Sequence, residues 1–272
     1  IGRYGGYDLL VKGLRAVRER FMPLVLPISV QNNQGDYSIG TGFLYSPDTI
    51  VTARHCIEGL QRISILLADQ TAVSVDSVFF SASESLDIAI IRIPPIPGFN
   101  LPTFHIEAKP EHMGKREMDE LNYVGEPSYI LFAPGVILDD VLTMGYPPIA
   151  GFEAIHIADR SAINSSVFRT YAGEVLAIPK KYREDIEFLL INAKVKGGNS
   201  GGPVFDKLGR VVGMVVEAPK DFVNPDEIDH LGYGLALPSR YIKDMLDGIR
   251  SGDGSVIEQP VEQLKDGAFR VR

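Results

Sequence analysis

Short apolar runs bounded by turn-forming residues follow one another along most of this chain. Turn signals such as 32–36 (Asn-Asn-Gln-Gly-Asp) and 46–48 (Ser-Pro-Asp) separate the runs, which predicts short β-strands with little helix. In the first half the predicted strands are 24–31, 38–46, 50–53, 63–67, 73–81 and 88–93. These six strands are the number that one small antiparallel barrel needs, so the pattern confines this half to an all-β fold.

The second half repeats the pattern after a proline-rich break at 94–98. Two helices are predicted at the ends of the strand-rich region: 8–22, with Asp8 as its N-cap, and a closing helix that Ser239 caps. The predicted strands of this half are 129–132, 141–144, 169–178, 188–195, 203–205, 211–217 and 234–237.

These patterns predict four parts along the chain. The parts are 1–23, a helical extension; 24–127, a first barrel with a crossing segment; 128–250, a second barrel with the closing helix; and 251–272, a flexible or loosely docked tail. Segments 105–127 and 148–168 lack strand periodicity. We interpret both as loops, which could shape a cleft, cover it or bind a partner.

The stretch 197–203 (Gly-Gly-Asn-Ser-Gly-Gly-Pro) suits the interior of neither a helix nor a strand. It predicts a tight turn that presents the hydroxyl of Ser200. The glycines allow a substrate carbonyl to approach the main chain, where the N–H groups of Gly198 and Ser200 can point at a developing oxyanion. Glycine-rich turns are common, so this stretch alone indicates a nucleophile only weakly.

Two further residues strengthen this interpretation. His55 follows an apolar strand within Thr-Ala-Arg-His-Cys, and Asp87 opens the apolar run Asp-Ile-Ala-Ile. Each has an ordinary structural interpretation, as a core histidine and as a strand-end aspartate. Together with Ser200 they supply a nucleophile, a general base and a carboxylate to orient that base.

In the order His55, Asp87, Ser200 the chain resembles the trypsin-like serine peptidases. The resemblance covers about residues 25 to 250, and its blocks are 40–56, 87–93, 198–203, 211–216 and 233–238. It implies a chymotrypsin-like fold, so the predicted class is all-β: two six-stranded antiparallel barrels with an N-terminal helix and a C-terminal helix. It also implies a serine endopeptidase in which these three residues are catalytic and Gly198 and Ser200 form the oxyanion hole.

Asn199 indicates which branch of the family the chain resembles. Secreted trypsins carry an aspartate before the nucleophile, which pairs with the N-terminus freed on activation, and an amide cannot make that ion pair. Asn199 and the ending Leu-Ala-Leu-Pro-Ser at 235–239 are similar to HtrA-like bacterial peptidases. The segment after the closing helix is too short for a PDZ domain, so we expect none in this chain.

The sequence defines the specificity pocket less well than the three candidate catalytic residues. Counting back from Ser200 places the pocket base near Lys194, beside Val195, where trypsins that select basic side chains have an aspartate. Lys194 could favour acidic residues before the cleaved bond. Alternatively, it turns to solvent and leaves an apolar pocket lined by Val215 and Val216.

Charge and composition limit the partners that this chain is expected to bind. Thirty-five acidic against 27 basic residues give a net charge of −8, which argues against nucleic acid. No apolar run reaches the length of a membrane span. The first predicted helix is basic, which would suit a membrane surface, but we expect it to pack on the first barrel instead. The histidines show no metal-ligand spacing, so we expect neither a metal nor another cofactor. A protein or peptide substrate is expected, and the sequence does not predict an oligomeric state.

Cys56 is the only cysteine, so no intramolecular disulfide can form. Secreted relatives usually bridge this position to one that Gly40 occupies here. A reducing, cytoplasmic location is therefore expected, with a periplasmic or exported location as the alternative if a leader precedes Ile1.

Two functions remain after this reasoning. The first is a serine endopeptidase that acts through an acyl-enzyme. The alternative is a latent or catalytically silent trypsin-like scaffold, which binds a partner or is switched on by one.

Overall fold

The structure is a computed structural model, and it describes residues 13–67, 71–96, 128–147, 168–181, 185–195, 197–216 and 233–272. Antiparallel strands dominate it and form two sheets, one of which is a closed barrel while the other is nearly closed. The predicted all-β double barrel is therefore confirmed.

The first barrel is built from the N-terminal half of the chain. Its elements are α1 (Leu14–Phe21), β1 (Val25–Gln31), β2 (Tyr37–Ser46), β3 (Thr49–Thr52), β4 (Arg62–Ile65), β5 (Ser77–Ser81) and β6 (Ala89–Arg92). The strands follow the order β5-β6-β3-β2-β1-β4. Each neighbouring pair is antiparallel, and β3 and β6, which lie inside this order, are buried except for Arg92.

The second barrel closes on itself in the order β10-β11-β12-β9-β8-β7, with β10 also paired to β7. Its elements are β7 (Asp140–Gly145), β8 (Arg169–Ala177), β9 (Leu189–Ile191), β10 (Pro203–Asp206), β11 (Val211–Val216), β12 (Gly234–Pro238) and the closing helix α2 (Ser239–Ser251). The predicted strand at 129–132 is not part of the barrel order. Within it, Phe132 makes only an isolated parallel bridge to Val211.

A hydrophobic cluster shared by the two barrels holds them together. Phe21 of α1 stacks on Phe205 of β10 with their ring centroids 4.7 Å apart. Tyr45 of β2 stacks on Phe132 with a separation of 5.3 Å. Because large rings from both halves pack on each other, the strand ends of one barrel are positioned against those of the other.

The end of the chain differs from the prediction of a loose tail, which is wrong. Residues 251–272 contain three further strands, β13 (Val256–Gln259), β14 (Val261–Gln263) and β15 (Phe269–Val271). β13 pairs with β5, and β15 pairs with both β14 and β4. These strands cover the two open edges of the first barrel, which would otherwise expose unpaired backbone groups.

The helices agree with the prediction only in part. The structure begins α1 at Leu14, and the predicted N-cap Asp8 lies outside the described residues. Ser239 is the first residue of α2 and not its cap, because its hydroxyl donates to the carbonyl of Ala133 at 2.7 Å. No helix in the described ranges combines the length and the apolar character of a membrane span. Segments 105–127 and 148–167 lie outside the described residues.

Candidate active site

His55 lies on a short turn that follows the buried strand β3 of the first barrel. After β3 the chain forms a 3-10 turn, Arg54–Cys56, in which the N–H of Cys56 donates to the carbonyl of Ala53 at 3.1 Å. Arg54 also pairs with Glu58 one turn further on. The turn holds the imidazole at the surface of the barrel junction, where the His55 side chain is 34% exposed.

Asp87 fixes the orientation of His55 through both of its carboxylate oxygens. One oxygen lies 2.6 Å from Nδ1 of the ring, and the other accepts the backbone N–H of the same histidine at 2.9 Å. Two bonds to one residue leave the ring little freedom to turn. An Nδ1–H directed at the carboxylate leaves Nε2 able to accept a proton from a nucleophile.

The charge of Asp87 also changes the titration of His55. Burial of the ring lowers the pKa of His55, but the hydrogen bond to Asp87 and the neighbouring sulfur of Cys56 raise it more. The net pKa lies above the ordinary value of 6.5. The imidazolium that forms when His55 takes a proton is therefore stabilised in this site.

The Ser200 loop has the backbone conformation that only glycine adopts easily. Gly198 and Gly201 have φ angles of +90° and +84°, in the left-handed region. A Cβ at Gly201 would come within 2.0 Å of the carbonyl oxygen of Thr41. Glycine at this position therefore allows the loop of the second barrel to lie directly against β2 of the first.

Thr41 clamps the two barrels together at the nucleophile loop. Its N–H donates to the carbonyl of Ser200 at 2.9 Å, and its hydroxyl donates to the carbonyl of Gly198 at 2.6 Å. On the other side of the loop, the N–H of Gly201 donates to the carbonyl of Val215 at 2.8 Å. Sequence reasoning did not single out Thr41; its place between two glycines at 40–42 was the only available signal.

Cys56 places the histidine beside the nucleophile loop. Its sulfur lies 3.7 Å from Nε2 of His55 and 3.4 Å from the carbonyl oxygen of Ser200. The proton-accepting face of the imidazole and the main chain of Ser200 thus lie on either side of one sulfur atom. His55 therefore contacts Asp87 directly and approaches the main chain of Ser200 only through the sulfur of Cys56.

The predicted oxyanion donors, the N–H groups of Gly198 and Ser200, stay a prediction. Among the described residues, neither the N–H of Gly198 nor that of Ser200 donates a hydrogen bond. The loop is instead held through its carbonyl groups, which bind Thr41 and Cys56. An N–H group without an acceptor among the described residues is compatible with the predicted role of binding the oxygen of a reacting carbonyl.

Asn199 lies behind the nucleophile and is fully buried. Its side-chain Nδ2 and Oδ1 have no hydrogen-bond partner in the described part of the chain. Burying such unpaired groups costs about 1–3 kcal/mol. A Cβ on Gly145 would lie 2.6 Å from Oδ1, so the amide is packed tightly against β7.

The predicted pocket residues lie in different surroundings. Lys194 is exposed, and Val195 is half-buried. Val215 is 0% exposed and belongs to the interior cluster of the second barrel, while Val216 is 4% exposed and belongs to the shared cluster. Their role in substrate selection stays a prediction.

The sequence model of the Trypsin-like peptidase domain family matches residues 40–214. The chain belongs to the trypsin-like peptidase family. The match includes His55, Asp87 and Ser200, so the site described above lies within the family's domain.

The chain is similar to two curated bacterial proteases. The serine protease Rv3671c of Mycobacterium tuberculosis is 28% identical over 182 residues, which are 67% of this chain and 36% of the relative. A probable periplasmic serine endoprotease of the DegP-like type from Halomonas elongata is 26% identical over 259 residues, covering 94% of this chain and 44% of the relative. The chain thus spans less than half of the length of these relatives.

Solved structures show the same fold. The crystal structure of the Rv3671c protease in its active form matches with a TM-score of 0.57 at 22% identity, covering 88% of this chain and 85% of that chain. The inactive form of the same protease matches with a TM-score of 0.54 at 21% identity, covering 88% and 95%.

Proposed function

We propose that this trypsin-like peptidase is a serine endopeptidase that hydrolyses peptide bonds through an acyl-enzyme on Ser200. The observation that carries the proposal is the two-point contact between Asp87 and His55, with the ring's Nε2 beside the nucleophile loop. An ordinary core histidine needs one hydrogen-bond partner. A general base needs a fixed tautomer and a fixed direction, and this arrangement supplies both.

The first half of the reaction follows from the charges. The hydroxyl of Ser200 is a weak nucleophile at neutral pH, so Nε2 of His55 takes its proton as the oxygen attacks the substrate carbonyl. Asp87 stabilises the imidazolium without becoming protonated. The oxyanion accepts hydrogen bonds from Gly198 and Ser200, and loss of one such donor costs about 10²–10³ in turnover.

The second half returns the enzyme to its starting state. His55 gives the proton to the leaving amine, the C–N bond breaks, and the acyl group stays on Ser200. Water, deprotonated by His55, then attacks the ester, and the acid product leaves as Ser200 regains its proton. No metal or other cofactor takes part in this proposed sequence.

Two substrate preferences remain for the pocket, and Lys194 separates them. Its side chain is exposed, which supports the apolar alternative, because a lysine in bulk water attracts an acidic residue only weakly. We expect cleavage after apolar residues, and a Lys194→Met variant with an unchanged cleavage pattern. A shift away from acidic residues in that variant would support the acidic alternative.

A fluorophosphonate probe combined with peptide-library cleavage tests the activity. We expect the probe to label Ser200 and the wild type to make cuts that Ser200→Ala lacks. Ser38→Ala is the matched control, because it makes the same substitution at an exposed strand position away from the site. If the wild type makes no cut that Ser200→Ala lacks, the constitutive protease is excluded.

Asn199 favours a second candidate, a latent protease that a partner or peptide switches on. The buried amide of Asn199 has no partner among the described residues, and a rearranged loop that supplied one would recover the lost stability. Labelling of Ser200 only after a partner is added would support latency. No labelling under any condition would support a catalytically silent scaffold.

The compartment stays a prediction. The unpaired Cys56 supports a reducing, cytoplasmic location, whereas the DegP-like relatives are named as periplasmic proteins. Fractionation of the source cells with an antibody to this chain would decide between the two.

A further inference from the structure

The first strand after the closing helix contacts the segment that carries Asp87. β13 pairs with β5 from Val256 opposite Ser81 to Gln259 opposite Val78. One residue earlier, the carbonyl of Ser255 accepts the N–H of Ala82 at 2.9 Å. Ala82 is the residue at which the chain leaves β5 for the loop that leads to Asp87.

Local hydrogen bonds span the segment between that point and Asp87. The N–H of Ser83 donates to the hydroxyl of Ser81 at 3.1 Å, and the carbonyl of Ser83 accepts the N–H of Leu86, also at 3.1 Å. The carbonyl of Leu86 then accepts the N–H of Ile88 at 2.8 Å. These local bonds limit the freedom of the loop, so a shift at Ala82 is transmitted towards Asp87.

The same strand reaches His55 by a second route. Ile257 of β13 lies opposite Phe80 of β5, which is 3% exposed. The ring of Phe80 lies 4.8 Å from the guanidinium carbon of Arg54, the residue before His55. The strand therefore supports both members of the histidine–aspartate pair, one through backbone bonds and the other through a cation–π contact.

Both ends of the C-terminal segment are anchored. At its start, Gly252 adopts φ +64° and ends α2, which packs against β11 and β12 of the second barrel. At its far end, Phe269 is 0% exposed and pairs with Ile63 of β4. A strand held at two fixed points keeps its register on β5.

We propose that β13 is a positioning strand for His55 and Asp87, which ties the pair in the first barrel to the closing helix of the second. Ser255 and Ile257 act through their backbone and through Phe80, and neither touches the substrate. The catalytic consequence rests on the proposed function. The geometric consequence, a change in the His55–Asp87 contact, does not.

Two proline substitutions at neighbouring exposed positions test the proposal. Hydrogen-bonded and non-hydrogen-bonded pairs alternate along an antiparallel ladder. Because Ser255 bonds to Ala82, the N–H of Ile257 faces β5, whereas the N–H of Glu258 faces away. Ile257→Pro therefore removes a ladder bond, and Glu258→Pro, the matched control, removes none.

We expect Ile257→Pro to lower kcat by about tenfold to a hundredfold with little change in KM, because a small misplacement of a catalytic group costs that much. The acid limb of its pH–rate profile should move to lower pH as the contact with Asp87 weakens. Glu258→Pro should behave like the wild type in both measurements. A folded Ile257→Pro variant indistinguishable from Glu258→Pro would overturn the proposal.

Proton NMR of the imidazole N–H of His55 supplies a readout that needs no catalysis. We expect the downfield signal of the Nδ1–H bonded to Asp87 in the wild type and in Glu258→Pro, and its loss or shift in Ile257→Pro. If the wild type shows the signal but cleaves nothing, the protease function fails while the positioning role is still decided by the spectra.

A second variant covers the case in which Ile257→Pro does not fold. Ala82→Pro removes the donor to Ser255 from the other side, at an exposed residue, and leaves β13 intact. It should also shift the His55 signal. If both variants unfold, or if Ala82→Pro folds with an unchanged signal, β13 contributes stability alone and the proposal is wrong.

Discussion

Replacing Phe269 with alanine measures how firmly the end of the chain is held. Phe269 lies in β15, is 0% exposed, and faces the cluster that fills the first barrel. Full burial of such a side chain contributes about 1.5–3 kcal/mol by transfer from water. The cavity left behind adds to this loss, so we expect a destabilisation of about 3–5 kcal/mol.

Ile257→Ala is the control, because the residue lies in the same C-terminal segment but is 51% exposed. Only about half of its apolar surface is removed from water and no closed cavity forms, so we expect a loss of about 1 kcal/mol. Urea unfolding followed by fluorescence and circular dichroism gives both free energies. The slope of the free energy with urea concentration reports the surface exposed on unfolding.

That slope separates two ways in which Phe269→Ala can act. If the strands stay docked around a cavity, the midpoint falls and the slope is unchanged. If β15 detaches in the native state, the slope also falls, because less surface remains to be exposed. A loss below about 1 kcal/mol with an unchanged slope would refute the claim that this segment belongs to the core of the first barrel.

Three further predictions concern Gly40, the His55–Asp87 pair and Leu138. A Cβ at Gly40 would lie 2.7 Å from the sulfur of Cys56, so Gly40→Cys should form a disulfide under mild oxidation and stabilise the fold by about 3 kcal/mol. Asp87→Asn should lower kcat by about 10⁴ and move the acid limb of the pH–rate profile to lower pH, because the pKa of His55 then falls. Leu138 has φ +72° and is 75% exposed, so Leu138→Asn should stabilise the protein in urea by about 1 kcal/mol.

Matched variants decide the first and the third of these predictions. Gly40→Ala places the same Cβ against the sulfur without forming a bond, so it should destabilise the fold. If Gly40→Cys keeps both thiols under mild oxidation, the result contradicts the geometry. Val136→Asn is also exposed but is not among the residues with positive φ, so it should be neutral. If Val136→Asn stabilises the protein as much as Leu138→Asn does, the added polar side chain and not relief of backbone strain explains the gain in stability.

The raised pKa of His55 also predicts how stability depends on pH. A histidine whose folded pKa lies above its unfolded value of 6.5 stabilises the fold most when it is protonated. That contribution is complete below pH 6.5 and declines as the pH rises towards the folded pKa. Asp87→Asn should flatten this decline, as unfolding measured across that pH window can show.

Much of the site was predictable because its signals are local. The glycines around Ser200 report a backbone conformation of their own residues, and Gly198 and Gly201 have positive φ angles. The strand that precedes His55 is short and consists entirely of β-branched residues, which favour a strand wherever they are buried. The order of the three residues then indicated the family, which the match to residues 40–214 confirmed.

Thr41 and the C-terminal strands could not be predicted in this way. The bonds of Thr41 to the Ser200 loop span about 157 positions of sequence, and nothing in its own neighbourhood reports them. Residues 256–271 mix charged or polar residues with apolar ones and are interrupted by Pro260 and Gly267, so the pattern favours a loose tail. Their strands form only because β4 and β5 present open edges.

The sequence by itself therefore determined the strand-rich architecture, the family and the chemical identity of the three site residues, since each depends on residues adjacent in the chain. The tertiary structure alone decided how the two barrels are clamped at Thr41 and Cys56, and that the chain's end completes the first barrel. Those features depend on contacts between distant segments, whose free energy appears only when both partners are already folded.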